Sequence, residues 1–219
     1  MATLSPGFDE FLPAWVAGQR WYRGKGRQPR LQRIAGYRWE DPQGEVGLED
    51  HILLDRSGEE EVVYQVPLSY RAEPVDFLAD ALVAVAEHED LGTRYIYDAT
   101  HDPVFVQTLL QHIYGEHDVP SVHARRVIAG GAAPALHTCR VLRGEQSNTS
   151  IVVEPYGDTR PVIIKVFRVL QPGDNPDVTV PSAIAPLGNR MVPGPIGYAE
   201  GRWPLAAGTE ARGHLAFVQ

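Results

Sequence analysis

Pro161-Val-Ile-Ile-Lys-Val-Phe-Arg168 is the most informative stretch of this chain, because it is an apolar, strand-like run with a lysine at its centre. The chain contains 20 lysine and arginine residues, of which only Lys25 and Lys165 are lysines. A lysine inside an apolar strand costs desolvation free energy unless an anion meets it, and lysine is a common binder of phosphate. Lys165 therefore raises the question of whether this strand anchors phosphates in a nucleotide-binding lobe.

A polar segment, residues 143–149, precedes the lysine strand and separates two strand-like runs, 136–142 and 150–154. In a nucleotide-binding lobe such a loop offers backbone N–H groups and hydroxyls to phosphate oxygens, and the next strand supplies the lysine. The residues that could serve in this way are Gly144, Ser147, Asn148, Thr149 and Ser150. The segment matches neither a Walker A motif nor the three-glycine loop of protein kinases. From spacing alone, a strand-edge lysine that extends to water explains Lys165 at least as well.

The residues after the lysine strand do not complete a kinase site. A kinase-like lobe carries a carboxylate on a following helix that pairs with the lysine. Here residues 175–181 contain no glutamate, and Pro181 and Pro186 are expected to interrupt a helix, so residues 171–195 are predicted to be mostly irregular. Nothing further along supplies a catalytic carboxylate or a set of Mg²⁺ ligands. The eight histidines lack the usual metal-ligand spacing, so no metal site is predicted.

The rest of the chain predicts an α+β fold. The spacing of apolar residues predicts a short helix over residues 8–16 and longer helices over 74–87 and 103–114. Turn signals at residues 41–44 and 55–58 separate three strands, 31–39, 48–54 and 62–68, which predicts an antiparallel meander. A last buried strand is predicted over residues 213–219.

Composition and charge argue against several classes of function. The 219 residues carry a formal net charge of -8, which disfavours nucleic-acid binding. The one cysteine, Cys139, leaves no internal disulfide, and its apolar surroundings predict an inert thiol. No signal peptide and no membrane-spanning run is recognised, so the expected location is the cytoplasm.

The segment from Arg20 to Arg38 contains seven basic residues and no acidic residue, which is unusual in an acidic chain. It either faces an acidic partner, a phosphate or another domain, or it is a solvated strand edge. The solvated strand edge is the more common case.

Five stretches resemble the N-terminal part of actinobacterial maltokinases, which convert maltose to maltose 1-phosphate with ATP. These are Gln19-Arg-Trp-Tyr-Arg-Gly-Lys25, Val141-Leu-Arg-Gly-Glu-Gln-Ser-Asn-Thr-Ser150, Ile163-Ile-Lys-Val-Phe-Arg168, Gln171-Pro-Gly-Asp-Asn-Pro-Asp177 and His214-Leu-Ala-Phe-Val-Gln219. The polar string at residues 144–150, followed by the lysine strand, is specific to this group of kinases. The order and spacing of the five stretches extend the resemblance over essentially the whole chain.

The resemblance implies a curved antiparallel-sheet cap with helices over residues 1–90. It also implies a second antiparallel subdomain like a kinase N-lobe over residues 91–219. In this family Lys165 would contact nucleotide phosphates, with Ser147, Asn148 and Thr149 in the loop beside it. Val218 and Gln219 would form the hinge next to adenine. The implied cofactors are ATP and Mg²⁺.

Two departures from the family matter. By this resemblance the 219 residues end at the expected hinge strand, so they are expected to lack the C-lobe with its catalytic aspartate, Mg²⁺ ligands and most of the maltose site. Thr179 stands where the family has its helix glutamate, with Pro181 following. The chain is therefore expected to bind ATP weakly and to be non-catalytic by itself, and exposed apolar surface would favour self-association.

Two alternatives remain open. The chain could be a regulatory module that docks on an enzyme of α-glucan metabolism such as trehalose synthase. It could also be one half of a split kinase whose C-lobe is a separate polypeptide.

Overall fold

The computed structural model describes residues 3–128, 130–144, 147–187, 193–205 and 208–219. The α-helices are α1 (Phe8–Ala17), α2 (Pro103–Tyr114) and α3 (Pro176–Ile184), and short 3₁₀ turns cover Asp76–Ala81, Ala99–His101 and Ala185–Leu187. The strands are β1 (Leu4–Ser5), β2 (Leu31–Glu40), β3 (Gly47–Asp55), β4 (Val62–Arg71), β5 (Leu82–His88), β6 (Gly92–Asp98), β7 (Val122–Arg126), β8 (Leu136–Val141), β9 (Asn148–Pro155), β10 (Val162–Phe167), β11 (Val169–Leu170), β12 (Gly197–Pro204) and β13 (Glu210–Val218).

The strands form two antiparallel sheets, which gives the α+β fold that the sequence predicts. The first sheet has the order β1-β5-β6-β4-β3-β2, and β11 also pairs with β4. The second sheet has the order β7-β12-β13-β10-β9-β8. One of the sheets is strongly curled. Register shifts interrupt four of the strand pairs, including β2 with β3, and such bulges bend and twist a sheet.

The alternating side chains of β3 explain how the layers stack. Leu48 and Ile52 point into an apolar core that is shared with β9, β10 and β13 of the second sheet. Leu53 points to the opposite face, where it packs in a separate core with Leu12 and Val16 of α1. Because side chains alternate between the faces of a strand, β3 is buried on both sides. The first sheet therefore lies between α1 and the second sheet, with α2 contributing to the shared core.

Local signals place α2 as the sequence predicts. Asp102 accepts a hydrogen bond from the N–H of Val104 at 3.0 Å, which caps the helix, and Pro103 occupies its first turn. The helix ends at Gly115, which has a φ of 79° in the left-handed region that favours glycine. The predicted helix near the start and the meander of β2, β3 and β4 are also confirmed.

The helix predicted over residues 74–87 is wrong. Residues 76–81 form a single 3₁₀ segment, and residues 82–88 form β5, which pairs with β6 on one side and β1 on the other. A turn at residues 89–91 followed by Gly92, at a φ of 70°, reverses the chain into β6. Pairing with β6 along the strand, and with β1 at Glu87 and His88, satisfies backbone groups of β5, and this outweighs the helical spacing of its apolar residues.

The prediction that residues 171–195 are mostly irregular is also wrong in part, because α3 forms there. The side chain of Asn175 accepts a hydrogen bond from the N–H of Asp177 at 2.9 Å, Pro176 occupies the first turn, and Val178 is buried. Pro181 lies inside the helix, where it costs one backbone hydrogen bond. The cap and the burial of Val178 outweigh that cost.

The lysine strand changes sheets at its end. The predicted strand over residues 161–170 is divided at Arg168 into β10, which belongs to the second sheet, and β11, which pairs with β4 of the first. The carbonyl of Arg168 accepts a hydrogen bond from the N–H of Gln65 in β4 at 2.9 Å. One short stretch of chain thus joins the two sheets.

The domain division predicted between residues 90 and 91 falls in the turn that joins β5 and β6, two neighbouring strands of the first sheet.

Among the described residues no helix has the length and apolar character needed to cross a membrane, and the longest, α2, has 12 residues.

Candidate phosphate-binding site

Lys165 lies in the middle of the second sheet. It is paired with Ser150 of β9 on one side and with Phe217 of β13 on the other. Its neighbours Ile164 and Val166 point into the buried core. Because strand residues alternate, Lys165 points to the opposite face, where its side chain is 23% exposed. The ammonium group is therefore held near the surface by a rigid strand.

Asp177 supplies a carboxylate for this lysine. Its Oδ2 lies 3.4 Å from Nζ of Lys165, and it stands in the first turn of α3. Residues 175–181 contain no glutamate, as the sequence shows, but an aspartate two residues before Thr179 supplies the helix carboxylate. The side chain of Asp177 is 49% exposed, so the pair contributes only about 0–1 kcal/mol to stability. An ammonium group has three donors, so Lys165 retains capacity to bind an anion.

The predicted phosphate loop is shorter than its sequence suggests. Asn148 and Thr149 are the first residues of β9, where they pair with Phe167 and Val166 of β10. Ser147 precedes the strand and is exposed, whereas residues 145 and 146 of the predicted loop lie outside the described part of the chain. The structure thus brings Ser147 and Asn148 to the end of the strand that borders Lys165.

The hydroxyl of Thr149 is engaged inside the protein. It accepts a hydrogen bond from Nε of Arg168 at 2.7 Å, and the residue is 5% exposed. Arg168 in turn donates from Nη2 to both carboxylate oxygens of Asp98, at 2.7 and 2.6 Å, and to the hydroxyl of Thr100 at 2.9 Å. Of the three predicted loop residues, Thr149 is therefore the one whose side chain serves a buried network.

Arg168 is a buried structural residue that sequence reasoning missed. It is fully buried, and its guanidinium also lies 5.3 Å from the centre of the Trp21 ring. Burial alone would raise the pKa of Asp98, but the charge and hydrogen bonds of Arg168 outweigh burial and hold that pKa below its usual value. The signal that could have revealed this residue is an arginine that follows an apolar strand without a turn residue between them.

Arg20 connects the N-terminal region to the segment before the candidate loop. Its guanidinium donates to the carbonyl oxygen of Arg143 and, at 3.3 Å, to that of Leu142. Other cations of the basic segment also make contacts within the chain: Lys25 donates to the carbonyl of Gln19 at 2.7 Å. The basic segment is therefore partly used to hold the protein together.

The predicted hinge residues close the edge of the core. Val218 is fully buried, and its carbonyl accepts a hydrogen bond from the N–H of Ile196 at 2.8 Å. The N–H and the carbonyl of Gln219 both pair with Ile163, at 3.0 and 2.8 Å. These backbone groups are occupied by the sheet, so adenine recognition through them requires a rearrangement of that pairing.

A compact acidic cluster lies at the start of α3. Donor atoms of Asp174, Glu200 and His214 are within 4.8 Å of one another, which is a spacing that could hold a metal ion. However, Arg212 pairs with Asp174 at 3.1 Å and with Glu200 at 3.5 Å. The Nδ1 atom of His214 accepts a hydrogen bond from the N–H of Asn175 at 3.2 Å, so in the neutral ring the proton is on Nε2. The cluster is thus an ion-pair network that supports the start of α3.

Two cavities lie away from Lys165. One, of about 490 Å³, is bordered by β2, β4 and β11. The other, of about 420 Å³, lies between the end of α2 and β7. Lys165 lines neither of these two cavities, and α3 and the start of β9 provide the groups that flank it.

One family model matches the first part of the chain. Residues 15–102 match the family model of the maltokinase N-terminal cap domain. The matched segment contains β2 to β6, which are the larger part of the first sheet, and it ends at Asp102, the residue that caps α2. Lys165 and the second sheet lie outside the match.

Proposed function

We propose that this chain is the N-terminal part of a maltokinase-like, ATP-dependent sugar kinase. In this proposal the first sheet is the cap, and the second sheet is an N-lobe-like subdomain that binds the phosphates of ATP. The match of residues 15–102 to the maltokinase cap supports the first half of the proposal. The second half is supported by the geometry around Lys165.

The single observation that carries the nucleotide site is the contact between Lys165 and Asp177. In protein kinases a lysine on a sheet strand contacts the nucleotide phosphates while a carboxylate on a helix holds it in place. Here the lysine is on β10, the carboxylate is on α3, and Nζ and Oδ2 are 3.4 Å apart. An aspartate in the first helical turn performs the positioning that a glutamate performs in kinases. This step is an analogy of site geometry.

The residues around Lys165 would bind and orient ATP, not transfer its phosphoryl group. The ammonium group would neutralise charge on the phosphate oxygens, and Ser147 and the backbone before β9 would donate hydrogen bonds to them. Mg²⁺ would bridge the phosphates when ATP is bound. The catalytic base and the maltose site would come from a C-lobe, which is either further chain or a separate polypeptide.

Binding of ATP tests the proposal directly. We expect the 219-residue chain to bind ATP weakly, as measured by displacement of a fluorescent ATP analogue, and to produce no maltose 1-phosphate from ATP and maltose. The variant Lys165→Met should weaken binding at least about 5-fold, which is the loss of one charge-assisted contact. The matched control is Lys25→Met, because Lys25 is the other lysine and contacts the carbonyl of Gln19. Equal binding by the two variants would refute the nucleotide site.

Docking on an enzyme such as trehalose synthase stays a prediction. The basic segment does not by itself favour it, since Arg20 and Lys25 make contacts inside the chain. Size-exclusion chromatography with that enzyme at low and high salt tests it, because a charge-driven complex weakens as salt rises. Self-association is tested by the same chromatography of the chain alone.

A further inference from the structure

A cavity at the far end of α2 is lined by side chains that commonly bind metal ions. It has a volume of about 420 Å³ and lies between α2 and β7. Its ionisable lining residues are His112, Glu116, His117, Asp118 and His123. None of these residues belongs to the surface around Lys165, and the inference below does not depend on the proposed function.

His112 presents an unoccupied nitrogen inside the protein. The residue is 2% exposed, and its Nδ1 lies 2.8 Å from the carbonyl oxygen of His117. A carbonyl oxygen only accepts, so Nδ1 must carry the proton, and in the neutral ring Nε2 keeps its lone pair. Among the described residues Nε2 has no hydrogen-bond partner. A hydrogen bond from one ring nitrogen to a backbone carbonyl is the arrangement that typically prepares the other nitrogen to bind a metal ion.

His117 provides a second nitrogen of the same kind. Its Nε2 is buried and, like that of His112, lacks a hydrogen-bond partner in the part of the chain that the structure describes. Buried polar atoms without partners are uncommon in native proteins, and two of them belong to residues that line this one cavity, which leaves both nitrogens available to a ligand. Exposed carboxylates of Glu116 and Asp118 stand at the rim.

We propose that this cavity binds one divalent transition-metal ion through Nε2 of His112 and Nε2 of His117. Imidazole nitrogens favour Zn²⁺, Ni²⁺ and Co²⁺ over Mg²⁺ and Ca²⁺, which prefer oxygen ligands. The buried imidazole of His112 and the partly buried imidazole of His117 form the fixed part of the site. Asp118 or His123, both exposed, completes the tetrahedral shell with water.

In the described structure the donor atoms of this cavity are not yet close enough to form a group of three ligands. Among the described residues the one group of three donors within 4.8 Å is Asp174, Glu200 and His214. The cavity therefore needs a side-chain rotation at its rim when the ion enters. The acidic cluster is the natural competitor for the same ion, although its carboxylates are paired with Arg212.

Titration of the full chain with Zn²⁺ and Co²⁺ distinguishes binding in the cavity from binding at the acidic cluster. We expect one Zn²⁺ per chain, and a Co²⁺ absorption spectrum typical of tetrahedral nitrogen and oxygen ligands. His117→Gln should lower the affinity for Zn²⁺ by about 10-fold or more. His214→Gln and the exposed-surface control His137→Gln should leave the affinity unchanged.

A thermal melt provides a second readout. Zn²⁺ should raise the Tm of the wild-type chain and of His137→Gln, and it should do so much less for His117→Gln, whose Tm without metal confirms that it folds. The proposal is overturned if the wild-type chain binds no Zn²⁺, if His117→Gln binds as tightly as wild type, or if His214→Gln is the variant that loses binding.

Discussion

Nη2 of Arg168 lies 2.7 Å from Oδ1 and 2.6 Å from Oδ2 of Asp98, and the two side chains are 0% and 8% exposed. Asp98 ends β6 in the first sheet, and Arg168 stands between β10 and β11, where the chain passes from the second sheet to the first. A buried ion pair holds the two sheets together at this crossing. Nε of the same arginine binds Thr149, so the pair also fixes the start of β9.

Replacing Arg168 by methionine should destabilise the protein strongly. The carboxylate of Asp98 would be left buried without its partner, and removing one member of a buried pair costs about 3–5 kcal/mol of the free energy of unfolding. Urea unfolding measures this change. Arg202→Met is the control, because Arg202 and its partner Glu210 are 53% and 57% exposed and the loss there should be below about 1 kcal/mol. Similar losses in the two variants would contradict the structural role of the pair.

Asp50 should make the protein less stable as pH rises. Burial raises the pKa of Asp50 to about 7, although a hydrogen bond from Gln65 at 2.6 Å acts in the opposite direction. Between the unfolded and the folded pKa, the folded state holds a proton that the unfolded state has lost. The free energy of unfolding should therefore fall by about 1.4 kcal/mol per pH unit between pH 5 and pH 6.5 from this group alone.

The variant Asp50→Asn removes the titrating group and should flatten that dependence. Urea unfolding at several pH values measures both slopes. An unchanged slope in the variant would show that Asp50 is not the origin of the effect.

Replacing Asp177 by asparagine should weaken binding of the ATP analogue with little change in the stability of the protein. Because Asp177 is half exposed, the free energy of unfolding should change by less than about 1 kcal/mol. Binding of the fluorescent ATP analogue should nevertheless weaken, because Lys165 loses the group that holds its ammonium in place. Asp174→Asn, in the neighbouring cluster, is the matched control. Unchanged binding in Asp177→Asn would remove Asp177 from the proposed site.

Removing the side chain of Arg20 should loosen the segment before β9. Arg20 donates to two carbonyls of that segment, and the N–H of Leu142 pairs with the carbonyl of Ser150 at 2.8 Å. In Arg20→Ala we expect faster hydrogen exchange at the amide of Leu142 and little change in the core strands. Lys25→Ala should exchange like wild type. Equal exchange of Leu142 in both variants would show that Arg20 does not restrain this segment.

Cys139 should react slowly with thiol reagents in the folded protein. Burial raises the pKa of its thiol to about 11, so at pH 8 on the order of one thiol in a thousand is ionised. Labelling with a disulfide reagent should be slow in buffer and fast in urea. Rapid labelling of the folded chain would mean that this part of β8 opens frequently.

Local signals explain what the sequence predicted well. Residues 41–44 and 55–58 define the meander of β2, β3 and β4, and Asp102, Pro103 and Gly115 bracket α2. The errors arise where contacts between residues far apart in the sequence determine the secondary structure. β5 is a strand because it pairs with β6 and β1, and the partner in β1 lies more than 80 residues away along the chain.

The candidate site likewise depends on contacts between residues that are far apart in the sequence. Lys165 could be recognised from its apolar neighbours, but Asp177 could not, because its role depends on the direction in which α3 leaves β11. Arg168 and Thr149 are 19 residues apart, and Asp98 lies 70 residues before Arg168. Such a network has no local sequence pattern.

The crossing of the chain from the second sheet to the first at Arg168 also affects residues 15–102, the segment that matches the family model. If residues 15–102 were excised, β4 would lose its partner β11, and Asp98 would lose the only guanidinium that the described structure places against it. The apolar core shared by β3 and the second sheet would be opened as well. Residues 15–102 are therefore not expected to fold by themselves, and the two sheets should melt in one cooperative transition.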